Sequence, residues 1–81
     1  MISLNRFHKL TYSEDDWQLM ESAHRRACDL LGQSPLYYEH NDRLARTIMK
    51  LFDTGTRNVE LLASIAVHRE HVMDRLLSTH H

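Results

Sequence analysis

One cysteine, one proline and two glycines are spread over 81 residues, and each scarcity closes off a class of protein. With Cys28 alone, no internal disulfide can form and no thiolate metal site finds a second sulfur, which reads as an intracellular chain. Two glycines leave no phosphate-cradling loop and few places to build a recessed active site. An excess of one charge is missing too. Ten Lys and Arg against eleven Asp and Glu give a formal net charge of −1, so bulk charge does not hold the chain to nucleic acid or a membrane surface. No stretch approaches the ~20 apolar residues of a membrane span, and the first residues contain no apolar run of signal-peptide length. The expected address is the cytoplasm.

What remains is a small domain, residues 1–81, near the lower limit for a chain folding on its own core. Such a chain buries only about 60% or a little more of the surface it exposes when unfolded. Without disulfide or metal, self-association is the expected supplement. Apolar residues make up 42% of the chain, and there is no low-complexity run, so global disorder is not expected. Charge is uneven along the chain. Arg6 and Lys9 make the N-terminal arm basic, and residues 14–29 carry five acids against Arg25 and Arg26.

Gly32, Pro35 and Gly55 sit where apolar periodicity lapses, and they punctuate the chain into three parts. The first predicted helix spans 13–31. Ser13 caps it, Asp16 takes the capping-box position, and Tyr12 and Trp17 occupy the two places of a hydrophobic staple. Glu14, Asp15 and Asp16 complement the helix dipole. Trp17, Met20, His24, Ala27 and Leu31 recur at helical spacing, widened by Ala23 and Leu30, and Gly32 supplies the stop. The second predicted helix spans 41–54, with Asn41 as cap, Leu44, Ala45, Ile48, Leu51 and Phe52 on one face, and Gly55 closing it. Residues 35–40 form a short helical turn or loop before it. Arg43, Arg46 and Lys50 line the opposite face, read as a solvated surface. The third predicted helix spans 58–78, with Val59, Leu62, Ile65, Ala66, Val72, Met73 and Leu76 on its apolar face. Residues 1–12, with Ile2, Leu4, Phe7 and Leu10, form an arm apolar enough to lie against the bundle.

The stretch "LLASIAVHREHV" within residues 60–77 resembles the centre of a helix-turn-helix unit. Leu62, Val67 and Val72 match its aliphatic positions, and Ala66 stands where the turn usually has glycine. The resemblance implies a DNA-binding regulator in which His68, Arg69, His71 and Arg75 face the duplex, with Glu70 among the opening residues of the recognition helix. Two residues depart from the pattern: Ala66 is a strong helix former, and Arg75 takes a core position. No glycine, proline or asparagine lies between Val59 and Leu77, so the preferred reading is one continuous helix.

Seven histidines raise a metal-binding helical protein as a further alternative. His68 and His71 are three apart on one helix, and Glu21 with His24 forms one Glu-x-x-His pair. A di-iron bundle needs two such pairs and two further glutamates, and a zinc site needs further ligands. A polar face for His68 and His71, and a hydrogen-bonded core position for His24, are the preferred readings. His80 and His81 end the chain, where order commonly fades and where a purification tag would also place them. Cys28, in mid-helix, reads as a small residue at the edge of the core rather than a nucleophile with a base beside it. The expectation is a protein that is not an enzyme and takes no cofactor or metal.

Leu36, Tyr37 and Tyr38 either cover the end of the bundle or form an exposed anchor, since aromatic residues concentrate binding energy at interfaces. Finally, "AHRRACDLLG" and "DRLARTIMKLFDTGTRNVELLASIA" resemble a pattern in small uncharacterised alphaproteobacterial proteins. It rests on Arg43, Leu44, Ala45, Leu51, Phe52, Gly55, Leu62 and Ala63. That resemblance implies a bacterial, cytoplasmic, all-helical protein and carries no activity. The sequence therefore predicts an all-α three-helix bundle with an N-terminal arm. Its expected function is a non-catalytic interaction or regulatory module, binding a protein partner or its own copy through Leu36, Tyr37, Tyr38, Val72, Met73 and Leu76.

Overall fold

The structure, a computed structural model, describes residues 12–78. Three helices follow one another: α1 (Glu14–Leu31), α2 (Asn41–Asp53) and α3 (Val59–Ser78). The fold is all-α, as the punctuation by Gly32, Pro35 and Gly55 predicts, and no strand occurs among the described residues. Residues 1–11 of the expected arm lie outside them, as do His80 and His81. No helix among the described residues is long and apolar enough to cross a membrane.

The start of α1 is built as its sequence predicts. The Asp16 amide donates to Ser13 Oγ at 3.1 Å, and the Ser13 amide donates to Asp16 Oδ2 at 3.1 Å. Tyr12 meets Trp17 edge to face, with ring centroids 5.2 Å apart. At the other end Gly32 takes the left-handed conformation at φ 70°, a backbone shape that side chains with a Cβ resist. Its amide reaches the Asp29 carbonyl at 3.1 Å, and Gln33 N–H reaches Cys28 O at 2.9 Å.

The ends of α2 differ from the sequence reading. Asn41 is not its cap: the cap position belongs to His40, whose side chain makes no capping bond. The Asn41 amide is occupied elsewhere, donating to Pro35 O at 2.6 Å and accepting from Cys28 Sγ at 3.9 Å. It thereby ties the preceding turn to α1. α3 starts where the sequence predicts, after Asn58, whose Oδ1 accepts from the Leu61 amide at 2.9 Å.

The helices enclose one core of Met20, Ala23, Ala27 and Cys28 from α1, Leu44, Ile48, Leu51 and Phe52 from α2, and Leu62, Ala63 and Ala66 from α3. Cys28 lies inside the core rather than at its edge, and Leu30 is largely outside it. α1 and α2 run antiparallel, since the Tyr12 hydroxyl donates to Asp53 Oδ1 at 2.8 Å at one end and Cys28 meets Asn41 at the other. The backbones of α1 and α3 run close together over more of their length than either does with α2. At 1.5 Å per residue the helices measure about 27, 20 and 30 Å, from 18, 13 and 20 residues. The longest, α3, passes through residues 60–77 without a break.

Candidate functional site

The apolar stripe of α3 contains a charge. Leu62, Ala63 and Ala66 are buried, and the next position on that side is Glu70, only 1% exposed. A carboxylate so placed is tolerated only when its oxygens are fully engaged. Arg43 from the first turns of α2 supplies a two-pronged grip, Nε to Oε2 at 2.8 Å and Nη2 to Oε1 at 2.8 Å. The Tyr38 hydroxyl donates to Oε1 from the other side. Arg43 Nη2 also reaches Asp74 Oδ1, one turn further along α3, at 3.1 Å. No buried side-chain nitrogen or oxygen among the described residues lacks a partner.

This network sets the protonation of its members. Burial alone pushes the Glu70 carboxyl up, but hydrogen bonds from Arg43 and Tyr38, with the charges of Arg43 and His40, outweigh it and hold Glu70 below the ordinary carboxylate range. Burial and the bond to Glu70 push the Tyr38 hydroxyl up to about 12, so it remains a donor. The bonds to Glu70 push the Arg43 guanidinium further up, against burial. A carboxyl with a depressed folded value stabilises the fold fully above its unfolded pKa of about 4.3 and loses that contribution as pH falls through the folded value. Urea midpoints between pH 7 and pH 3 should therefore drop more steeply for the natural chain than for Glu70→Gln. Parallel profiles for the two proteins would show that Glu70 carries no such linkage.

The network's geometric effect is to fix the connection between α1 and α2. Tyr37 and Tyr38 amides both donate to Ser34 O, at 3.1 and 3.0 Å, closing a single helical turn. Tyr38 points inward to Glu70, its ring edge-on to His40 at 5.6 Å between centroids. Leu36 and Tyr37 point outward, 81% and 83% exposed. Tyr38 covers the bundle, whereas Leu36 and Tyr37 are exposed. Met73 and Leu77 follow Glu70 on the same side of α3 at three and seven residues, a shared helical face, and both emerge partly into solvent. Leu76 is 55% exposed and Val72 half-buried. The turn at residues 34–37 and the last turns of α3 are thus held beside one another by Tyr38, Arg43, Glu70 and Asp74.

The other candidate groups lie elsewhere. His68, Arg69, His71 and Arg75 are exposed on α3, on a helix with no turn at Ala66. The separate recognition helix that the helix-turn-helix resemblance implies is not formed, because Ala66 and its neighbours all continue the helix. No group of three His, Cys, Asp or Glu suited to a metal occurs among the described residues. Glu21 and His24 line a second feature, a groove of about 390 Å³ between α1 and α2. Burial pushes the Cys28 thiol up, with a further push from Asp29, which disfavours the thiolate that nucleophilic chemistry requires.

Glu70 and Arg43 are what reading the sequence missed. By sequence, Glu70 groups with the polar residues 68–71, and Arg43 with a solvated basic stripe. The available signal was spacing: Glu70 falls four residues after Ala66 and seven after Ala63, in line with the buried stripe.

Fold and site together define a small all-helical protein with an internally braced, outward-facing apolar turn. No family model, curated protein or solved structure matches the chain.

Proposed function

We propose that this protein is a non-catalytic helical interaction module that binds a protein surface, in the first instance a second copy of itself, through Leu36, Tyr37 and the last turns of α3. The observation that carries this reading is the braced turn. Two large apolar side chains stand more than four-fifths in solvent, on backbone fixed by a buried ion pair and two amide bonds to Ser34 O. Leaving them exposed forgoes about 1.5–3 kcal/mol of burial for a side chain of this kind. Holding them in one geometry reduces the ordering cost of association. An aromatic anchor of this type characteristically dominates an interface. Exposed apolar surface at Met73 and Leu77 continues the Glu70 side of α3, and Leu76 is exposed as well.

A second copy is the favoured partner because a chain of this size gains stability by doubling a small core. The lone buried thiol suits a reducing compartment, and the module would act in the cytoplasm. Light scattering coupled to size exclusion, over a hundredfold concentration range, tests the reading. The natural chain should approach dimer mass, and the Leu36→Ser/Tyr37→Ser double variant should need at least tenfold higher concentration to do so. Thermal stability extrapolated to the monomer should barely move, since neither side chain is buried. A natural chain that stays monomeric throughout, or a variant that dimerises equally well, would refute it.

A further inference from the structure

Among the described residues, the groove between α1 and α2 is lined from those two helices and is separate from the braced turn. Its floor is apolar, made by Trp17, Met20, Ile48 and Met49, while Glu14 and Glu21 stand along the α1 lip. Its volume of about 390 Å³ falls within the ~300–1,000 Å³ of ligand clefts. One end begins beside Tyr12, whose ring meets both Trp17 at 5.2 Å and Phe52 at 5.9 Å.

We propose that this groove is the seat of the chain's own residues 1–11, docked in cis with their apolar side chains on the floor and their basic ones against the α1 lip. Three observations converge on that occupant. First, the segment is joined to Tyr12, whose ring meets the groove residue Trp17, so its tethered concentration there is roughly millimolar. Second, the chemistry is complementary. Ile2, Leu4, Phe7 and Leu10 match an apolar floor, and Arg6 and Lys9 match a lip carrying Glu14 and Glu21. Third, the length suffices. The groove from Glu14 to His24 spans about 15 Å of helix, whereas eleven residues reach up to about 35 Å when extended.

Trp17 is the chain's single tryptophan and lines the groove, so its fluorescence reports occupancy. In the full chain, Phe7→Ser/Leu10→Ser should at least double the acrylamide quenching constant of Trp17 while far-UV circular dichroism keeps the helices unchanged. Arg6→Glu/Lys9→Glu should raise quenching as well, and adding Glu14→Lys/Glu21→Lys should bring it back down. In the unmodified chain, nuclear Overhauser contacts should connect Phe7 and Leu10 to Ile48 and Met49. Equal quenching in all variants, or absence of those contacts, would overturn the proposal. So would a quenching difference that disappears on dilution, because the arm would then come from another copy.

Discussion

Arg43→Met should lower folding stability by about 3–5 kcal/mol, the usual consequence of removing one partner from a buried ion pair. Without the guanidinium, Glu70 keeps only the Tyr38 hydroxyl as a partner among its present donors. A carboxylate that is 1% exposed then has to take a proton or draw water into the core. For 81 residues the whole stability is about 4–12 kcal/mol on a per-residue scale. The loss is therefore a large share of it, and at about 4–8 °C per kcal/mol the melting temperature should fall by some tens of degrees. Thermal and urea unfolding followed by circular dichroism measures this. The double variant Arg43→Met/Glu70→Leu should recover at least half of the loss, since apolar replacement of a buried pair is often neutral or better. A single variant within 1 kcal/mol of the natural chain would show that the pair is not holding the fold.

Phe52→Ala is the second large effect, about 3–5 kcal/mol for emptying a buried aromatic position. Phe52 closes the core at the end opposite the braced turn. It is fully enclosed, with the Tyr12 ring edge-on to it and the Arg57 guanidinium over its face at 3.7 Å from the centroid. The variant removes the ring that both groups pack on, so part of the cost falls on the cap of α1 and on the connection to α3. Phe52→Leu, which keeps most of the volume, should lose less than half as much. If alanine and leucine proved equally harmful, cavity formation would be the wrong account, and the cation over the ring would deserve the credit.

The two sites differ in how far the sequence announces them. The cap at Ser13 and the staple of Tyr12 on Trp17 depend on residues within five positions of one another, so local chemistry is enough to predict them. The continuity of α3 is equally local, because no residue from Val59 to Leu77 breaks a helix. The bond between Arg43 and Glu70 joins positions 27 apart. Nothing in the vicinity of either residue shows that the other will arrive, and a charged side chain on a helix is ordinarily solvated. Asn41 misleads for a related reason. Its local context is that of a cap, but in the folded chain its amide is drawn to Pro35, six residues back, and to Cys28, a contact that exists only once α1 and α2 have docked. Exposure of Leu36 and Tyr37 follows from the orientation of Tyr38, which depends in turn on Glu70.

Ala23 and Ala27 on α1, and Ala63 and Ala66 on α3, all have no exposed surface. Side chains this short interlock little and let two backbones approach closely, so the pair behaves as a stiff plank with no slack for sideways travel. α2 is the shorter leaf laid across it, fastened at its beginning by Arg43 and at its end by Asp53 and Phe52. If the molecule ever opens, the crack should run beneath that leaf. Slow amide exchange throughout α1 and α3, with earlier exchange in α2, would be its trace.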